Sequence, residues 1–223
     1  RANIWALKKL GVTTVISLSA VGSLQEKLKP THTCVPDQLI DKTHGRAATF
    51  FGNGIVGHVS VADPFCEPTR QKLIRAVKAC GGTVHAGGTY VCMEGPCFST
   101  RAESNLHRSW GAAVIGMTAL PEAKLAREAE LCYATLALVT DYDCWHEEEE
   151  DVSVNMVVET MRKNTLLAKQ VLRRFAEDSA APAGCACGEA ARHAVMTAPE
   201  AITAEARKRL ELFYGKYWNG KPA

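Results

Sequence analysis

The sequence has no apolar run approaching the ~18 residues of a membrane-spanning helix, so there is no such segment to place. It also lacks an excess of either charge: 26 basic and 24 acidic residues leave a net of +2. That balance supplies no global field for nucleic acid or an anionic membrane, and neither is an expected partner. Internal repeats and low-complexity tracts are missing too. No secretory leader is legible, and the expected location is the cytoplasm. The chain opens on Arg1-Ala2-Asn3-Ile4-Trp5, with no initiator methionine and already inside an amphipathic helical pattern.

What is present is a 47% apolar fraction, enough for a sizeable core in about one large domain of 223 residues. Nine cysteines are many, but their odd number argues against a secreted disulfide framework. Most lie in apolar stretches such as Val91-Cys92-Met93 and Leu131-Cys132-Tyr133, where a free thiol acts as a small hydrophobe. Cys185-Ala186-Cys187 stands apart as a CxC pair, read as a disulfide or as inert thiols. Zinc takes four ligands, and only these two are evident locally, so no metal is expected.

Helical and extended patterns alternate along the chain. Helices are expected over Arg1 to Lys9, Pro68 to Cys80, Thr100 to Trp110, Pro121 to Glu130 and from Ser153 to about Asp178. Thr100 with Glu103 reads as a capping box. Strands are expected over Thr14 to Ser19, Thr33 to Asp41, Thr83 to Met93, Ala112 to Met117 and Leu131 to Thr140, with a short extended piece from His58 to Val61. Lys42 to Gly57 reads as a polar surface loop. The alternation implies an α/β fold: a single layered domain with a central mixed β-sheet flanked by helices. Residues 1–178 form the core unit in this reading. Residues 179–223 are a linker (SAAPAGCACG) followed by two short helices around Glu189 to Met196 and Ala204 to Tyr214.

Candidate chemistry falls at strand ends, where ligands of α/β sheets sit. Ser19 and Ala20 end the first strand, and a hydroxyl beside an exposed N–H can hold an anion. Small residues in an ordinary turn would look the same. Asp141 and Asp143 are two apart in an extended segment, so both carboxylates project to one face. Their repulsion favours one keeping its proton. The alternative is a solvated Asp-Tyr-Asp turn. Val154, Val157, Val158, Met161 and Ala168 mark one face of the long helix. The acidic run Glu147 to Asp151 suits the positive end of that helix.

Three separated runs agree in one order: Glu94 to Glu103 (EGPCFSTRAE), Gly116-Met117-Thr118 with Pro121-Glu122, and Asp141 to Trp145 (DYDCW). Together they resemble the purine nucleoside phosphorylase family, in its 5′-methylthioadenosine branch, from Arg1 to about Leu172. The resemblance implies phosphorolysis of S-methyl-5′-thioadenosine to adenine and 5-methylthioribose 1-phosphate. No cofactor and no metal are implied; inorganic phosphate is a co-substrate. Ser19, Ala20 and Thr118 would bind phosphate, and Met117 would lie along the ribose. Phe98 would stack on the base. Ser99 and Asp141 stand where 6-oxopurine enzymes carry Glu and Asn, which favours a 6-amino purine. Asp141 would be the catalytic acid and Asp143 its neighbour on the base. Val154 and Val158 would line an apolar pocket for the methylthio group, closed by His58 of a neighbouring subunit in a homo-oligomer, a trimer. Cys97 departs from the family's usual Arg in EGPxF. The family's N-terminal strand, Gly-rich turn and Arg-His pair precede the matched region, so the chain reads as lacking that segment. The competing readings are a broader-range purine phosphorylase and a non-catalytic fragment.

Overall fold

The computed structural model describes residues 1–146, 154–178 and 184–218, with backbone only at 154–157. The acidic run at Glu147 to Asp151, Ser153, the Val154 side chain and part of the 179–188 linker therefore lie outside the described residues.

One seven-stranded mixed sheet runs through the molecule in the order β3-β5-β6-β1-β7-β2-β4. Its centre is β1 (Thr14–Ser23) lying parallel to β7 (Cys132–Tyr142). β7 is buried on both faces, and the period of two divides its side chains. Tyr133, Ala137 and Val139 enter the larger core, with α1 (Ala2–Lys9), α4 (Glu122–Glu128) and α6 (Ala204–Trp218). Ala134, Leu136 and Leu138 enter the second core, under α2 (Glu67–Ala79) and α5 (Val154–Glu177). Leu125, Leu136 and Leu210 are at most 1% exposed. Burying a side chain of that size stabilises by about 1.5–3 kcal/mol. α5 is fixed to the sheet by more than apolar contact, since Asn164 Nδ2 donates to Val139 O at 2.9 Å.

Two expected strands are each broken. The Thr33 to Asp41 stretch forms β2 (Thr33–Val35) and β3 (Gln38–Lys42). Thr83 to Met93 forms β4 (Val84–Ala86) and β5 (Thr89–Met93). Pro36 has no N–H to continue a ladder. Gly87 and Gly88 hold φ of 92° and 108°, open to glycine and disfavoured for other residues. The breaks face each other: Asp37 N donates to Gly88 O at 3.2 Å, and Gly88 N donates to Asp37 Oδ1 at 2.9 Å. The same two segments thus supply both ends of the sheet, β2 pairing with β4 and β3 with β5.

The capping box forms at the start of α3 (Arg101–Ser109). The strand expected over Ala112 to Met117 is shorter than read, β6 (Val114–Gly116). Near the C-terminus, the stretch around Glu189 to Met196 is not a helix: it holds the end of a 3-10 turn (Cys187–Glu189), further turns and an isolated bridge from Val195 to Gly57, whereas α6 is 15 residues long. Its Leu210, Phe213 and Tyr214 belong to the larger core. The 42–57 loop is also less superficial than expected, because Phe50, Phe51 and Ile55 are buried. No described helix is long and apolar enough to cross a membrane.

Candidate active site

The carboxyl ends of β1 and β7 and the segment after β6 converge. Ser19, 2% exposed, sits at the middle of a hydroxyl cluster. Its Oγ lies 2.9 Å from Tyr90 OH and 3.0 Å from Thr118 Oγ1. Ala20 and Thr118 are exposed beside it. Burial pushes the Tyr90 phenol above its ordinary value, so it remains a donor at neutral pH. In this three-membered hydroxyl chain only Thr118 is exposed, so it is the member that can turn a donor outward to an anion, backed by the two buried hydroxyls. Tyr90 was not legible in the sequence, where it is one apolar strand residue among others.

The carboxylates reach the same end through a defect in the ladder. Register between β1 and β7 shifts after Val21, so Gly22 pairs with Asp141 and Thr140 is the extra residue. Bulges re-aim the side chains that follow them. Thr140 Oγ1 spans the defect, reaching Val21 O at 3.2 Å and Asp141 Oδ2 at 2.6 Å. A β-carbon on Gly22 would stand 3.3 Å from Asp141 Oδ1 and 3.5 Å from Asp143 Cβ. Both aspartates therefore flank Gly22, and a larger residue there would press on both. Asp143 Oδ2 is buried with no hydrogen-bond partner among the described residues. A carboxylate oxygen left this way is costly unless a ligand donor meets it.

The loop after β5 closes one side. Ser99 Oγ lies 3.8 Å from Met93 Sδ, and Cys144 Sγ donates to Ser99 O at 3.3 Å, which ties this loop to the DYDCW run. Phe98 is 83% exposed and packs into none of the cores. Met117, after β6, touches the position of a Gly95 β-carbon at 2.6 Å. Arg46 joins these loops. Its guanidinium donates to Glu94 O at 2.7 Å on one side, and to Met117 O at 2.7 Å and Leu120 O at 2.5 Å on the other. Nε bridges both Glu94 carboxylate oxygens at 3.1 Å. The His44 N–H and this guanidinium hold Glu94 below the usual carboxylate range. A single Arg in a polar loop carries no sequence signal for such a role.

His58 stands apart from this group. His58 is exposed and lines a separate cavity of about 410 Å³ with Phe51, Lys124 and Glu128; none of Ser19, Thr118, Asp141 or Asp143 lines it. Val158 is 60% exposed on α5.

His107, on α3, is 5% exposed, with Nδ1 unpartnered among the described residues and its ring 5.2 Å from Trp110. Burial lowers its pKa, opposed by Asp143 and Glu103 and reinforced by Lys42. The unfolded chain then binds a proton that the folded chain resists. Stability is full above the ordinary His value of 6.5 and is lost as pH falls below it. Tm measured from pH 8 to 5 should fall less steeply in His107→Phe than in the parent; parallel curves would remove His107 as the cause.

As for metal ligands, four sulfurs gather at the opposite end of β7: Cys66, Cys132, Cys185 and Cys187, all within 4.8 Å of one another. The sequence exposed only the CxC half of that group.

Comparison with known proteins bears on the family and the fold. The sequence model of the phosphorylase superfamily matches residues 1–177. The S-methyl-5′-thioadenosine phosphorylase of Geobacter sulfurreducens is 54% identical over 218 residues, 97% of this chain and 76% of its own. A crystal structure of a methylthioadenosine phosphorylase from an antarctic soil metagenomic library superposes with a TM-score of 0.89 at 49% identity, over 95% of this chain and 75% of that one. The Schistosoma mansoni methylthioadenosine phosphorylase in complex with adenine gives a TM-score of 0.74 at 43% identity, over 79% and 68%. A match to 177 consecutive residues and whole-chain identity near one half leave no second assignment: the chain belongs to the phosphorylase superfamily.

Proposed function

We infer that this chain cleaves S-methyl-5′-thioadenosine with inorganic phosphate, releasing adenine and 5-methylthioribose 1-phosphate. The observation that carries the reading is the meeting, at one end of the sheet, of an anion-ready hydroxyl cluster and a paired carboxylate site. The relatives' names give the substrate. Phosphate sits against the Ser19 and Thr118 hydroxyls and the Ala20 N–H, below the sugar, with Met117 along the ribose. Phe98 stacks on the base, and its exposed ring is a surface for that contact. Asp141 donates to the ring nitrogen on the imidazole side as the base departs. Asp143, whose buried Oδ2 seeks a donor, accepts from the 6-amino group. Neither role needs a catalytic metal or an organic cofactor.

The exposed apolar side chains of Phe98, Val158 and Met161 favour a site completed across an interface between copies. In this reading His58 of one copy closes the methylthio pocket of the next, in a homotrimer working in the cytoplasm as part of purine and methionine salvage. Light scattering that found a fully active monomer would remove the interface from the account.

The deciding assay is adenine release with and without phosphate. Release is expected only with phosphate, and in step with formation of the sugar phosphate. Phosphate-independent release would replace phosphorolysis by hydrolysis. A second reading, a broader range including adenosine, is motivated by the Schistosoma mansoni relative described as an adenosine/methylthioadenosine phosphorylase. kcat/KM for both nucleosides separates the two.

A further inference from the structure

We propose that Cys66, Cys132, Cys185 and Cys187 form a structural zinc site at the amino end of the central strands. The four Sγ atoms lie within 4.8 Å of one another, and Cys132 and Cys185 are 3.5 Å apart. A tetrahedron with metal–sulfur bonds of about 2.3 Å has sulfur–sulfur edges of about 3.8 Å, so four converging sulfurs at this spacing suit one ion at their centre. Soft thiolate sets of this shape select zinc among divalent ions. The ligands come from the cap of α2 (Cys66), the first residue of β7 (Cys132) and the segment ahead of α6 (Cys185 and Cys187).

The surroundings match the charge such a site carries. Binding Zn²⁺ releases four thiol protons to solvent and leaves four thiolates around a dication, a net of −2. Arg127 Nη1 donates to Cys187 Sγ at 3.6 Å, and Thr69 Oγ1 donates to Cys66 Sγ at 3.2 Å. Cys66 also stands at the N-terminus of a 13-residue helix, whose dipole favours negative charge. Donors to the ligating sulfurs are the outer shell that orients metal thiolates.

The site is structural rather than catalytic. Thr14 pairs with Cys132 at one end of β1 and β7, and Gly22 with Asp141 at the other. Nine residues of strand put the ion on the order of 30 Å from Asp141. It would clasp the 184–218 segment to the sheet, where α6 fills the larger core.

Elemental analysis of the full chain, purified without chelator, should find about one zinc per chain. Cys185→Ser, at a half-buried position, should weaken zinc affinity by more than the roughly 10–100-fold that loss of an outer-shell partner costs, and so lower the zinc retained after dialysis. Cys97→Ser, at an exposed cysteine outside the group, should leave it at one. Circular dichroism confirms that each variant is folded. Metal-free protein titrated with Co²⁺ should develop the intense visible bands of tetrahedral thiolate cobalt. Zinc removal should lower Tm while leaving the rate of adenine release below Tm within about twofold, as expected for distant sites. No zinc and no cobalt bands in folded protein would overturn the proposal. So would disulfides among these four cysteines in zinc-replete preparations, zinc kept by a folded Cys185→Ser variant, or iron in place of zinc. None of these outcomes depends on whether the chain is a phosphorylase.

Discussion

Arg46→Met should lower kcat/KM by about 100-fold, the usual cost of an ångström-scale misplacement of reacting groups, with the fold retained. The side chain touches no expected substrate atom. It holds together the two loops that carry the site, accepting nothing and donating to Glu94 O, Met117 O and Leu120 O. Methionine keeps most of the apolar stem and removes every donor. The carbonyls then lose their partners, and the Glu94 to Ser99 loop is freed from the Met117–Thr118 segment. Left half-buried, such acceptors should cost about 1–3 kcal/mol of stability. The discriminating variant is Arg46→Lys. A point charge on a flexible stem cannot span two loops as a planar fork does, so lysine should recover Tm more than it recovers kcat/KM. If lysine restores the rate in full, Arg46 contributes charge alone and the two loops hold each other by other means.

The contrast between what was legible in the sequence and what was not has a physical basis. The α3 capping box was readable because Thr100 and Glu103 satisfy each other three residues apart. β7 was readable as a continuous apolar run because both of its faces are buried. Breaks in β2–β3 and β4–β5 were missed although Pro36 and Gly87-Gly88 are plain in the sequence. Each becomes a break only when the other segment runs beside it, and pairing between distant segments leaves no local mark. Ser19 and Thr118 could be proposed from resemblance, but the expected strand end at Ser19 was wrong: β1 runs on to Ser23, and Ser19 and Ala20 lie within it. Tyr90, which completes their hydroxyl chain, sits inside an apolar run. The bulge at Thr140 is likewise invisible, because one strand does not reveal its register against another. Of the four clustered cysteines, two are close in sequence; the others are separated by 66 and 53 residues and meet only through the fold.

That bulge links the sheet to the chemistry. Without the extra residue, β7 would continue its alternation past Val139 and direct Asp141 with the core-facing set. With it, Asp141 lies over Gly22 together with Asp143, held by the Thr140 hydroxyl. A small residue opposite the defect keeps room for two carboxylates on one spot.

Asp141→Asn is the change with the largest expected effect. The amide has nearly the shape of the carboxyl group, so it should fit over Gly22 and keep a contact to Thr140 Oγ1, which can donate to the amide oxygen. Folding and phosphate affinity should therefore change little. An amide can hydrogen-bond the purine but cannot deliver a proton to it. The rate with a 6-amino substrate should fall by roughly 10²–10⁴, the usual worth of a positioned acid. The loss should appear in kcat as well as kcat/KM, because proton donation is made in the transition state and not on binding. An amide N–H can also donate to a 6-oxo group, which an ionised carboxylate cannot. The ratio of methylthioinosine to methylthioadenosine turnover should accordingly rise. The measurement is kcat and KM for both nucleosides on parent and variant at matched Tm. Unchanged rate and unchanged preference in the Asn variant would make the Asp-Tyr-Asp run a structural turn, and proton donation would then have to come from Asp143, the other carboxylate at Gly22.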